Sequence, residues 1–248
     1  MAIATATVPE FDIYDRSLKS PAPAEGPAME ALKSCAPLRS AQTEALRALA
    51  RESTLRPVSR GVVLAAHGAG LDAAILVVRG RVRSVCRAQN GREISVEIFK
   101  PGDLIADGAI SAAPLGQDWE AVENGSVLMI PRDALVACLR ANPDIALALA
   151  SELVARIERS KQLATGLALA GVQERVVARL VALGRQDGTP GPEGLLIRLR
   201  PTQQELANQI GACRETVSRT VSELVRQGLL TPRGRSLLLS PRLLEGSA

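Results

Sequence analysis

The sequence predicts an α+β chain in three parts: an N-terminal β-roll of the jelly-roll kind, a long helix, and a C-terminal winged helix-turn-helix. Three observations carry this. Residues 55–130 hold short β-branched runs separated by glycine turns. Residues 142–167 repeat small or apolar residues at 3–4 spacing. Residues 202–230, TQQELANQIGACRETVSRTVSELVRQGLL, read as two helices joined at a glycine. The expected parts are an arm over 1–29, the roll over 30–141, the long helix over 142–165 and the winged domain over 166–248.

The arm is rich in Ala, Pro and Ser and has no period (SPAPAEGPA), so it is expected to stay disordered. Residues 37–52 form an amphipathic helix, with Ser40 as its cap and Leu46 and Leu49 on its apolar side. In the strand region, glycines at 61, 68, 70, 80, 91, 102 and 108 mark the turns. Asn90-Gly91 is a hairpin signal, because both residues accept the positive φ of a two-residue turn. Asn142-Pro143 opens the long helix, Asn as cap and Pro at the first position. Ala146, Ala150, Leu153, Ile157, Ser160, Ala164 and Leu167 then share one face through about three heptads. That face either pairs with a second copy or packs on the roll. Ala150, Leu153, Ile157, Ser160 and Ala164 are the expected dimer contacts. Glycine-flanked 165–171 is the expected hinge. A helix over 172–186 and a loop over 187–194 lead into the helix pair.

Thr202 with Glu205 three residues on is a capping box. Leu206, Ala207 and Ile210 give the first helix its buried side, and Gly211 supplies the left-handed stop. In the second helix Val217, Val221, Leu224 and Val225 are apolar at i, i+4, i+7 and i+8. Arg214, Glu215, Ser218, Arg219 and Ser222 form the other face. Such a strip suits a solvated surface, and it also suits base edges in a major groove. The short glycine turn and the strip's place on the second helix favour the groove. Leu229-Leu230, the turn TPRGR and residues 236–239 suggest a two-stranded wing. Arg233 and Arg235 at its tip are either phosphate contacts or a solvated turn.

Composition agrees. The chain has 248 residues, 46% hydrophobic and 2% aromatic, so its core is aliphatic. No apolar run reaches the roughly 18 residues of a membrane span. The N-terminus lacks a basic region followed by an apolar one, so a cytoplasmic protein is expected. From Val172 onward there are 11 Arg and 7 acidic residues, while the preceding part is balanced at 19 of each. The whole excess of +4 therefore lies in the C-terminal part, all of it arginine. Arginine's planar fork suits phosphate and guanine.

The run TQQELA at 202–207, Gly211 and RETVSR at 214–219 resembles the helix-turn-helix of the bacterial CRP/FNR superfamily (cyclic-AMP receptor protein and fumarate-nitrate regulator). RGRV at 79, PGDLI at 101 and IPRDAL at 130 resemble the same superfamily's cyclic-nucleotide-binding roll. The resemblance spans about residues 37–239. It implies a homodimeric DNA-binding transcription regulator that reads an inverted repeat, with RNA polymerase as a partner if it activates. It also implies that Thr202 and Gln204 hold phosphates and that Arg214, Glu215, Ser218 and Arg219 meet bases. Arg214 matches the cyclic-AMP receptor branch; Glu215, Ser218 and Arg219 together match the fumarate-nitrate branch. Cys213 stands where the family usually has a capping serine.

Cyclic-nucleotide binders in the family use a glutamate for the ribose and an arginine for the phosphate. Here Asp107 holds the glutamate's place, and no Lys or Arg occurs between Lys100 and Arg132. A buried phosphate without a cation is costly, so cyclic AMP is not the expected effector. His67, the single histidine, lies in the polar turn HGAG, which suits a surface turn better than a haem ligand. Cys35, Cys86, Cys138 and Cys213 are scattered, which excludes a zinc ribbon or a compact iron–sulfur motif. No metal and no cofactor are predicted, and the effector stays open. Cys213 beside Arg214 at a helix start has the setting of a reactive thiol. It is either a redox switch that releases DNA on oxidation or a small residue filling a cap. An enzyme is not expected: no nucleophile–base set or phosphate-cradling glycine loop can be placed. A sensor module with a vestigial DNA-binding domain is the other reading.

Overall fold

The computed structural model describes residues 25–88, 93–111 and 113–245. It divides into two units: residues up to 85 together with 97–154, and residues 86–96 together with 155–248.

The first unit opens with α1 (Glu25–Ser34), a 3-10 turn (Ala36–Leu38) and α2 (Thr43–Glu52). Strands β1 (Thr54–Val58), β2 (Val63–Ala65), β3 (Ala73–Arg79), β4 (Val82–Arg87), β5 (Glu93–Phe99) and β6 (Leu104–Ile105) follow. A short α3 (Asp107–Ser111), β7 (Asp118–Ala121), β8 (Gly125–Pro131), α4 (Arg132–Ala141) and the long α5 (Pro143–Leu169) complete the run, with residues 86–96 of β4 and β5 and residues 155–169 of α5 counted in the second unit. The strands make two four-stranded sheets, ordered β1-β8-β3-β6 and β2-β7-β4-β5. This is the expected roll.

Side-chain alternation in β3 and β8 explains the layering. Ala73, Ile75, Val77, Val127 and Met129 join Leu64, Phe99, Ile105 and Trp119 in one core. Ala74, Leu76, Leu128 and Ile130 join Leu32, Leu38, Leu46, Leu49, Leu135, Ile145 and Leu149 in a second. These two central strands are thus buried on both faces, which is why they read as unbroken apolar runs. Where β8 begins, a Cβ on Gly125 would lie 2.0 Å from the carbonyl oxygen of Arg79. Only glycine permits that approach.

The second unit contains α6 (Val172–Asp187), β9 (Thr189–Gly191), β10 (Gly194–Ile197), α7 (Gln203–Ile210), α8 (Arg214–Arg226), β11 (Leu230–Arg233), β12 (Ser236–Leu239) and α9 (Pro241–Glu245). Its sheet runs β11-β12-β10-β9, with the expected wing formed by β11 and β12. Val176, Leu180, Leu206, Ala207, Ile210, Val217, Leu224, Leu237 and Leu239 form its core.

Four expectations need correction. Helix α1 begins at Glu25, inside the supposed arm, because Ala28, Ala31 and Leu32 are buried against α2 and the sheet. Ser40 caps nothing: α2 starts at Thr43 behind Gln42, which makes no side-chain cap. Asn142 sits before α5, but its side-chain amide donates to the Cys138 carbonyl of α4 at 2.8 Å. It therefore closes one helix while its own carbonyl starts the next, accepting from Ile145 at 3.1 Å. The hinge expected over 165–171 is mostly helix, because α5 runs through Gly166 to Leu169. Asn90-Gly91 lies outside the described residues, but β4 and β5 are neighbours in their sheet, as a hairpin requires. Among the described residues, no single helix is long and apolar enough to cross a membrane.

Candidate nucleic-acid interface

Helix α7 is set by its ends. Thr202 Oγ1 accepts from the Glu205 amide at 3.1 Å, and Glu205 Oε2 accepts from the Thr202 amide at 2.8 Å. The Thr202 hydroxyl also donates to Glu205 Oε2 at 3.0 Å. The residue is exposed, but within the free chain its hydrogen-bonding groups serve the cap. Gly211 ends α7 at φ 63°, ψ 41°. Arg179 Nε, from α6, donates to Gln209 Oε1 at 2.6 Å and props α7 from beneath. Burial lowers the pKa of Arg179 and the charge of Asp187 opposes that; an arginine still keeps its proton.

Helix α8 starts after Cys213, whose backbone has cap geometry (φ −77°, ψ 145°) but whose side chain makes no cap bond. Val217 and Leu224 are buried, with Val221 and Val225 packed beside them. Arg214, Glu215 and Arg219 are exposed, and Ser218 is half-buried at the edge of the same face. None of the three charged residues has an ion-pair partner among the described residues. Arg226, lower on the helix, is paired with Glu223.

The structure brings two more arginines to this side than the sequence did. Ser236 Oγ donates to the Arg198 carbonyl at 3.0 Å, and the Arg200 amide donates to the Arg235 carbonyl at 3.0 Å. Segment 198–200 therefore lies along the wing's turn, directly before Thr202. Arg198, Arg200 and Arg235 are all exposed. Arg233 differs: its guanidinium is 2.7 Å from Glu193 Oε2. The β10–β12 pairing is the signal that finds Arg198 and Arg200, and spacing along the chain does not contain it.

Two domain families match the chain: the cyclic nucleotide-binding domain over residues 55–142 and the Crp-like helix-turn-helix domain over residues 174–246. The chain belongs to the CRP/FNR superfamily. A CRP-like cAMP-activated global transcriptional regulator of Mycobacterium tuberculosis is 28% identical over 202 residues, 80% of this chain and 89% of the relative. The CRP of Salmonella typhimurium is 27% identical over 168 residues, 66% of this chain and 78% of the relative. Among solved structures, FixK2 from Bradyrhizobium japonicum superposes with a TM-score of 0.70 at 24% identity, covering 79% of this chain and 98% of that one. The c-di-GMP responsive regulator CLP of Xanthomonas campestris gives 0.68 at 22%, covering 80% and 99%. As a CRP/FNR protein the chain is a transcription regulator whose C-terminal unit is a DNA-binding helix-turn-helix.

Elsewhere in this CRP/FNR chain, α5 leaves an apolar seam open. Leu147, Val154 and Ile157 are 69%, 58% and 53% exposed, and Ala150, Ser160 and Ala164 are exposed beside them. Leu153, expected in that seam, packs instead against the roll's helical core with Ile145 and Leu149. Of the four free cysteines, Cys213 is exposed, Cys86 half-buried, and Cys35 and Cys138 buried. Burial raises the pKa of the Cys138 thiol. His67 is exposed in its turn, and its amide donates to Asp118 Oδ1 at 2.7 Å.

Proposed function

We propose that the chain is a cytoplasmic homodimer that reads an inverted-repeat DNA site through α8 and is not controlled by cyclic AMP. The observation that carries the DNA reading is the exposed, unpaired set Arg214, Glu215 and Arg219 at the start of α8, with Ser218 beside them. By reach and chemistry, the two arginines donate to guanine edges and Glu215 accepts from cytosine N4. Gln204, Arg198, Arg200 and Arg235 supply phosphate contacts. The open seam on α5 supports dimerisation: residues 147, 150, 154 and 157 keep a 3–4–3 spacing, as a helix pair across a two-fold axis needs. Two copies then place their reading helices in successive major grooves about 34 Å apart.

The effector reading rests on the roll interior. Trp119 is fully buried there among Leu64, Ile75, Phe99 and Met129. Arg132, at the start of α4, donates to the Ala109 carbonyl, and Arg83 pairs with Glu120 at 3.1 Å. A cyclic phosphate finds no uncommitted cation in segment 101–131. The relatives' own effectors differ, cAMP in one and c-di-GMP in another, so membership does not settle the ligand.

The test is fluorescence anisotropy with no ligand added, using a duplex carrying the family's inverted repeat and a scrambled duplex across a range of salt. Preference for the inverted repeat is expected. Equal binding at every salt refutes the reading. Equilibrium dialysis showing tight cyclic-AMP binding refutes the effector claim separately.

A further inference from the structure

Gln204, one of the expected phosphate holders, is not loose on the surface. Its Nε2 donates to Asn208 Oδ1, one turn on, at 2.7 Å. Asn208 is a buried polar residue in the flank of α7. Its Nδ2 donates in turn to the Glu93 carboxylate. Glu93 opens β5 and, with the rest of 86–96, groups with the C-terminal unit. Its other oxygen lies 3.4 Å from Arg87 Nε. The segment is seated firmly, since a Cβ built on Gly211 would come within 3.2 Å of Ile94 Cδ1 and 2.8 Å of Leu167 Cδ2.

The chemistry gives this chain of amides a direction. An ionised carboxylate only accepts. Asn208 must therefore turn its NH2 toward Glu93 and its oxygen the other way. That oxygen needs a donor, and Gln204 Nε2 provides it. The buried end thus fixes how the exposed amide lies: one N–H of Gln204 is held and the other is left to solvent. Arg87 offsets the charge of Glu93, so the carboxylate acts by orientation rather than by repelling phosphate. We infer that Glu93 is a positioning residue for DNA backbone recognition, orienting Gln204 through Asn208 so that its free N–H meets a phosphate without first being ordered. This rests on the DNA-binding reading above.

The experiment uses the full chain and the same two duplexes. Glu93→Gln replaces an obligate acceptor by an amide that can also donate, which leaves the orientation of Asn208 undecided. Binding to both duplexes is expected to weaken alike, by roughly five- to thirtyfold, the worth of one neutral hydrogen bond in each of the two copies. The salt slope is expected to stay unchanged, because a neutral amide releases no counterion. In a Gln204→Ala background, Glu93→Gln is expected to have no further effect. Tighter binding by Glu93→Gln overturns the proposal and makes the carboxylate an electrostatic brake. An equal loss in the Gln204→Ala background also overturns it and makes the role structural. If wild type prefers neither duplex, the DNA reading falls and the positioning role with it. A readout independent of that variant's folding is side-chain amide exchange in the wild type, with the Gln204 NH2 assigned by its absence in Gln204→Ala. One slowed and one fast proton are expected, and two equally fast protons overturn the relay.

Discussion

Replacing Cys213 by serine should stabilise the C-terminal unit. The first intrahelical bond of α8 runs from the Val217 amide to the Cys213 carbonyl at 3.1 Å. The amides of Arg214, Glu215 and Thr216 come before it and have no helical acceptor. Cys213 already has extended cap dihedrals and makes no side-chain cap bond. A serine hydroxyl there reaches the Thr216 amide as Thr202 reaches that of Glu205 at 3.1 Å. Because Cys213 is exposed, little apolar burial is lost. A capping hydroxyl is worth about 0.5–1 kcal/mol, which in a unit of this size raises the melting temperature by roughly 3–6 °C. The assay is reversible thermal unfolding followed by circular dichroism under reductant, comparing wild type, Cys213→Ser and Cys213→Ala. Thr202→Ala is the opposite control and should lose about 1 kcal/mol. A serine variant no more stable than the alanine variant refutes the argument that α8 starts uncapped.

Arg214→Ala and Arg219→Ala should each cost about 1–3 kcal/mol per half-site on the inverted repeat and much less on a scrambled duplex, measured by anisotropy. Arg198→Ala, Arg200→Ala and Arg235→Ala should weaken both duplexes alike and flatten the salt slope by about 1.8 each, one phosphate contact in each of the two copies; Arg233→Ala should change it less, because Arg233 is already paired with Glu193. Leu147→Glu with Ile157→Glu places charge in the α5 seam and should yield a folded monomer in sedimentation equilibrium. Cys213 should react with iodoacetamide well before Cys35 and Cys138, which are buried, and peroxide should weaken operator binding by wild type more than by Cys213→Ser.

The helix pair was legible because several local signals agreed on it: a capping box, a glycine at a left-handed stop, and an apolar stripe on each helix. Strands β3 and β8 were legible as apolar runs, though which residues entered which core was not. Helix α1 was hidden because it is anchored by two alanines and one leucine in a stretch rich in proline and alanine. Gly166 looked like a hinge, yet one glycine in a helix of 27 residues costs only about 1 kcal/mol. Leu153 was misplaced for a reason inherent to periodicity. Helix α5 is apolar on two faces, one for its own roll and one left open, and a heptad count cannot separate neighbouring stripes. Arg198, Arg200 and the Glu93–Asn208–Gln204 chain depend on strand register and long-range packing, which no sequence window contains.

Trp119, sealed in the roll, is the only tryptophan in the chain. The protein therefore carries an optical label on one unit alone. Excitation at 295 nm reports on the interior of the roll and is silent about the reading domain. A blue-shifted band that persists while the circular dichroism of the C-terminal helices melts shows the two units unfolding independently. A ligand that packs against Trp119 would shift that band, whether or not DNA is present.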